Sequence, residues 1–291
     1  MRGTQSFVGV MSAVFKRPSL TARELLWRWS FGVIAASLVW FFAHDVVMVW
    51  ALKARDVGPI LMRGSLVRRG ISDVLAQFWP LLGAIAAWSV FAGIGRGVVL
   101  RRWDPALRSR RGTVIVLAMI RAYAFAGLAV LWFALLVRIA ESCVWTPMDR
   151  GLEPFYVPGF AMAVTTTLLL FVLWSALNWI VRIAPVLAMS RGLGVAGSLR
   201  AAMRIGPLKS KLIEINLVMG IVKVALLVLA MVFSACPLPF ESVESPTFLT
   251  WWWIGVGVLF LVASDYFHVV RAAAYDALYR IHEASLSDIS G

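Results

Sequence analysis

Six unbroken apolar stretches, each longer than twenty residues, constrain this chain more than any other feature. They cover residues 29–51, 75–100, 114–138, 158–183, 212–236 and 249–270. The hydrocarbon core of a bilayer is about 30 Å thick and a helix rises about 1.5 Å per residue, so roughly 20 apolar residues cross it. Lipid offers no hydrogen-bond partner to the backbone, which leaves helices and closed barrels as the spanning structures. The stretches are too long, and too uniformly apolar, for the alternating strands of a barrel. The expected fold is therefore all-α: a polytopic transmembrane bundle of about six spans, with amphipathic helices at its interfaces, forming a single membrane domain over residues 1–291.

Composition agrees with this. Hydrophobic residues make up 61% of the chain and charged residues only 15%, where a soluble domain carries about a quarter charged. The mean hydropathy of +0.83 describes more apolar surface than a 32.1 kDa globule can hide from water. The formal net charge is +13, but the basic residues sit in short segments between the apolar runs. That placement fits anionic headgroups on the cytoplasmic side, and nucleic acid is not an expected partner.

Counting Lys and Arg sets the expected orientation. The N-terminal segment has five (Arg2, Lys16, Arg17, Arg23, Arg28). The second connector has six, from Arg96 through Arg101, Arg102, Arg108, Arg110 and Arg111, and the fourth also six, from Arg182 through Arg191, Arg200, Arg204, Lys209 and Lys211. The third connector holds only Arg138 and Arg150, and the fifth carries Glu241 and Glu244 with no basic residue. Both termini are expected in the cytoplasm. The first connector, 52–74, runs against the pattern: it should lie outside, yet contains Lys53, Arg55, Arg63, Arg68 and Arg69. A short helix on the outer surface accommodates it; a re-entrant flanking segment is the alternative.

The N-terminal apolar patch from Phe7 to Phe15 leads into Lys16-Arg17-Pro18 without a cleavage site, which reads as a retained end. Residues 5–16 and 194–205 are basic amphipathic segments, suited either to the headgroup level or to packing on the bundle. Thr21 with Glu24 has the spacing of a capping box opening the first long helix. Trp27, Trp29 and Trp103 mark one membrane boundary; Trp50, Trp79, Trp145 and Trp251-Trp252-Trp253 mark the other.

Ionisable residues inside spans are costly and are functional candidates by default. Here they are His44 and Asp45 in the first span, Arg121 in the third, Lys223 in the fifth, and Asp265 with His268 in the sixth. At about 1.5 Å per residue, Arg121 lies about 10 Å from the inner boundary, Lys223 about 16 Å and Asp265 about 6–8 Å. The expectation is that Asp265 neutralises Lys223, Arg121 or both, fixing helix register. His44 and Asp45 are neighbours and point to different faces, whereas Asp265 and His268, at i and i+3, share one. Two ligands do not make a metal site, and no metal or cofactor is expected.

Cys143 and Cys236 both fall near the outer boundary, where an extracytoplasmic space would permit a disulfide between them. Gly93 and Gly97 form a GxxxG that permits close helix approach. The polar row Thr165, Thr166, Thr167, Ser175 and Asn178 fits interhelical hydrogen bonds better than a pore lining. Phosphate loops, nucleophile elbows and HExxH pairs are missing, so no catalytic residue is assigned and enzymatic activity has no support in the sequence.

Two segments resemble a known group. The run from Ser198 to Leu212 (SLRAAMRIGPLKSKL), leading straight into a span, resembles the basic connector of uncharacterised bacterial six-helix membrane proteins. The C-terminal stretch Arg271 to Arg280 (RAAAYDALYR) resembles that group's ending. The group is distantly similar to the membrane domain of glycerophosphodiester phosphodiesterases. The two segments cover under a tenth of the chain, and the catalytic domain of those hydrolases has no counterpart here. The resemblance implies six helices and a bacterial inner membrane, and no activity.

These readings favour a non-enzymatic scaffold or accessory module for lipid or protein partners. The alternative is a small transporter or permease with a polar site near Asp265, Lys223 and Arg121, which would need helices broken near the membrane midplane.

Overall fold

The computed structural model describes residues 3–53, 78–206, 208–235 and 246–290. Eight helices account for most of them, with no strand among the described residues: α1 (Gly3–Phe15), α2 (Pro18–Lys53), α3 (Phe78–Trp103), α4 (Arg111–Ala140), α5 (Tyr156–Arg191), α6 (Val195–Met203), α7 (Leu208–Ala235) and α8 (Pro246–Ser290). Five of these are long and apolar enough to cross a membrane: α3, α4 with its continuation to Asp149, α5, α7 and α8. The chain is an integral membrane protein with an all-α bundle fold. The first expected span, 29–51, falls within helix α2. Connector 52–74 lies outside the described residues beyond Lys53, and so does Cys236.

The helices overrun the expected spans because their ends are set by local chemistry, which polarity alone does not locate. Pro18 opens α2, a position where its missing N–H costs nothing and its fixed φ suits the first turn. Thr21 and Glu24 consequently sit inside the helix, and the expected capping box is not formed. α4 ends differently. It passes into a π-helical turn over Glu141–Trp145 and one further turn, Thr146–Asp149. Pro147 has no N–H to offer the Cys143 carbonyl four residues back. The N–H of Phe155 donates to that carbonyl instead, at 2.8 Å. After α5, Gly192 adopts φ +69°, and after α6 Gly206 adopts φ +60°, conformations that glycine supplies without steric penalty.

The chain divides into two compact units. The first comprises residues 1–28, 93–117 and 175–291. Its core is formed by α1, the end of α3, the start of α4, the end of α5, and parts of α6, α7 and α8, with Leu20, Leu117, Ile183, Leu187, Leu212, Met219, Tyr275 and Tyr279 among its most buried side chains. Both amphipathic segments pack here. Val10 and Val14 of α1 are buried, with Phe7 and Met11 against the same core, and the Tyr266 hydroxyl donates to the Met11 carbonyl at 3.0 Å. On α6, Ser198 and Ala202 are buried, Val195 and Leu199 pack on the core, and Met203 is exposed. α7 and α8 form a hairpin. Trp252 and Trp253 donate from their indole nitrogens to the Phe233 and Ser234 carbonyls at 2.7 and 3.1 Å. Away from the core α7 presents Ile221, Val224, Leu227, Val228 and Met231 outward, an apolar surface that water would not tolerate and lipid does.

The second unit comprises residues 29–92 and 118–174. Aromatic contacts hold it, including Phe31 with Trp88 and with Phe91 at centroid distances of 5.1 and 5.0 Å, and Phe125 with Trp174 at 5.5 Å. Trp132 donates to the Thr167 hydroxyl at 3.0 Å, and Thr167 in turn donates to the Ala163 carbonyl. Cys143 is buried against Gly159, where an added Cβ would stand 3.0 Å from the Cys143 Cβ.

Candidate functional site

The first unit encloses an ionic cluster on two helices, α2 and α8, with a third contribution from α3. On α8 the sequence places Asp265, His268, Arg271 and Tyr275 at intervals of three, three and four residues, which is a single stripe at 3.6 residues per turn. All four side chains are buried. On α2, Glu24 and Arg28 stand at i and i+4, the spacing at which helical neighbours meet. Glu24 is only 2% exposed. α3 adds Arg96.

These groups answer one another. Arg28 forms an ion pair with Asp265 and approaches Glu24 at 3.3 Å through its Nε. Trp27 donates to the other Glu24 oxygen at 2.9 Å. Arg96 lies 2.8 Å from His268 Nε2, and Arg271 lies 3.2 Å from Nδ1. A neutral imidazole has one acceptor nitrogen, so the tautomer decides which guanidinium it accepts from. Glu24 Oε1 stands 3.7 Å from the same imidazole. Burial pushes the Glu24 carboxyl up from its usual range, and the guanidinium groups of Arg28 and Arg96 pull it back. Three guanidinium groups and two carboxylates thus meet around one histidine.

Two glycines let α3 come close enough to take part. A Cβ on Gly95 would stand 2.5 Å from the Trp27 ring, and one on Gly93 would stand 2.6 Å from the Ile115 Cα of α4. Gly97, the second residue of the GxxxG, faces open space. The close approach therefore runs through Gly93 and Gly95.

Asp265 and His268 join the cluster on one buried face of α8. Asp265 forms an ion pair with Arg28. Lys223 is half-buried on α7 in the first unit, and Arg121 half-buried on α4 in the second; both have interaction partners. His44 and Asp45 lie in helix α2, with side chains outside the described residues, as Cys236 and its pairing with Cys143 also are. With Arg96 and Arg271 against its two ring nitrogens, His268 is aimed away from cation binding. Among the described residues, no three His, Cys, Asp or Glu side chains gather as a metal would require. In the polar row, Asn216 donates to the Ser175 carbonyl, Asn178 is buried, and Thr167 takes the indole hydrogen bond described above.

Charge counting by connector hid Arg28 and Arg96 by assigning them to the water side of a boundary, and it left out Glu24, which is acidic, and Arg271, which follows the last span. A second set of ion pairs ties the far end of α8 to neighbouring segments. Arg280 pairs with Asp104, in the turn after α3, and lies 3.7 Å from Asp276. Tyr279 donates to Glu283 at 2.7 Å and accepts from Arg191, whose guanidinium also lies over the Tyr279 ring at 5.4 Å.

No family model matches the chain, and neither does any curated protein or solved structure.

Proposed function

We propose that this protein is a non-enzymatic membrane scaffold of the bacterial inner membrane, with both termini cytoplasmic, that presents a rigid basic surface to lipid or protein partners. The observation carrying this reading is that Glu24, Arg28, Arg96, Asp265 and His268 of the first unit contact one another, the longest of these contacts at 3.7 Å, and none of them lines the cavity bounded by Arg101 and Arg110 or the one bounded by Arg191 and Arg200. A transport site needs polar groups that face water and rearrange around a substrate. The ion pair between α2 and α8, with the Arg96 contact from α3 to His268 beside it, resists such movement, since separating the pair leaves a buried charge uncompensated. The exposed basic residues lie elsewhere, on the connectors after α3 and α5 and along α6, where a partner would meet them. Kinship with the six-helix group that the two short segments resemble is part of this proposal.

Substituted-cysteine labelling tests it. Ser175 and Ala273 are 7% and 2% exposed. Each is replaced by cysteine in a background with Cys143→Ala and Cys236→Ala, in membrane vesicles of both orientations. A static scaffold leaves Ser175→Cys and Ala273→Cys unlabelled by a membrane-impermeant maleimide from either side. Labelling of either residue would overturn the reading in favour of a bundle that opens to water.

A further inference from the structure

We infer that the cavity between the ends of α2, α3 and α4 binds the phosphate of an anionic phospholipid, with the acyl chains running along α3. The cavity measures about 410 Å³, and five arginines line it: Arg23, Arg101, Arg102, Arg110 and Arg111. Among the described residues, no carboxylate pairs with any of the five. The nearest acids in sequence are committed elsewhere, Glu24 to the buried cluster and Asp104 to Arg280. Five guanidinium groups converging on one cavity without a counter-charge repel one another, and an anion relieves that repulsion. Arginine also presents a planar fork that grips phosphate oxygens two at a time.

The backbone adds to this. Arg111 opens the 30-residue helix α4, and the first N–H groups of a helix have no acceptor within it. They carry the positive end of the helix dipole toward whatever occupies the cavity. The loop that delivers these residues is held in place. The N–H of Ala106 donates to the Asp104 side chain at 3.0 Å, Leu107 is buried, and the N–H of Arg108 donates to the Met189 carbonyl at 2.9 Å. Gly192 passes beneath the arginines: a Cβ there would stand 3.2 Å from Arg108 and 3.4 Å from Arg110.

One wall of the cavity is apolar, and this selects a lipid over a free anion. Ile94 and Val98, one turn apart on α3, line it while remaining 45% and 48% exposed. A soluble phosphate has no use for that surface. A phospholipid covers it with acyl chain while its phosphate meets Arg101 and Arg102, the next residues along the same helix. Basic pockets between spans at the cytoplasmic surface are the known setting for such headgroups.

The inference rests on the membrane-scaffold reading only in placing the cavity at a headgroup level. Its test is lipid retention by the full chain purified in a neutral detergent and equilibrated with phosphatidylglycerol or phosphatidylcholine. Retained lipid is counted by native mass spectrometry. The expected result is one tightly retained phosphatidylglycerol and no retained phosphatidylcholine. Affinity should fall about thirty-fold in Arg110→Ala/Arg111→Ala, from about 1 kcal/mol per basic residue near the surface. Arg110→Lys/Arg111→Lys keeps the charge and should lose less, which covers the case where the alanine pair misfolds. Arg138→Ala/Arg150→Ala, which removes equal charge at exposed residues outside the cavity, should retain the lipid as the parent does. Equal loss in that control, or undiminished retention in both cavity variants, overturns the proposal. So does displacement of the lipid by a large molar excess of inorganic phosphate, which would make free phosphate the ligand. Failure here with Ser175→Cys and Ala273→Cys still unlabelled removes the lipid site and leaves the scaffold standing.

Discussion

Replacing Asp265 by alanine is expected to lower the unfolding free energy of the purified protein by about 3–5 kcal/mol, the cost of breaking a buried ion pair by removing one partner. Asp265 is 5% exposed and pairs with Arg28, which remains behind with its charge. A surface pair of the same chemistry would be worth about 0–1 kcal/mol, so the burial decides the size of the effect. Arg138, paired with Glu141 at 3.3 Å with its side chain 81% exposed, supplies that internal comparison. Arg138→Ala should shift the thermal unfolding midpoint in detergent very little, whereas Asp265→Ala should lower it by many degrees. Equal and small shifts for both variants would show that the cluster contributes nothing to stability.

Gly93→Ala should destabilise by about 1–3 kcal/mol, the usual cost of forcing atoms into a filled space. Alanine at an open helical position gains about 1 kcal/mol over glycine, and at Gly97, which meets nothing within 4 Å, that gain is expected to stand. At Gly93 the added Cβ meets backbone of α4 at 2.6 Å, and backbone cannot rotate aside as a side chain can. The same substitution at two residues four apart is thus expected to have opposite signs. Thermal unfolding of the two variants checks it, and a stabilised Gly93→Ala would mean that α3 and α4 do not approach as described.

The bundle was legible because the solvent of a membrane helix writes itself into long apolar runs. The ends of the helices were not, since Pro18, Pro147, Gly192 and Gly206 act through backbone geometry that hydropathy does not register. The ionic cluster was half legible. Asp265 and His268 stand out because they interrupt an apolar run, but Glu24, Arg28 and Arg271 sit just beyond the expected boundaries, and Arg96, near the end of its span, counts with the connector charges. The signal that would have found them was periodicity. Asp265, His268, Arg271 and Tyr275 continue one helical stripe past the end of the apolar stretch, and Glu24 with Arg28 begins another before it. The five-arginine cavity was visible only as a charge count, because sequence does not show that Arg23, in α2, meets the arginines flanking the turn from α3 to α4.

A double-mutant cycle on Arg28 and Asp265 tests the central claim most directly, namely that the buried charges exist to hold α2 and α8 together. The unfolding free energies of the parent, Arg28→Ala, Asp265→Ala and the double variant are measured in the same detergent. Contacting charged residues give interaction energies of about 0.5–3 kcal/mol in such cycles. The account predicts a coupling within that range, with the double variant less damaged than the sum of the single ones. Strict additivity would contradict it, since two residues that do not pair have no interaction to lose twice.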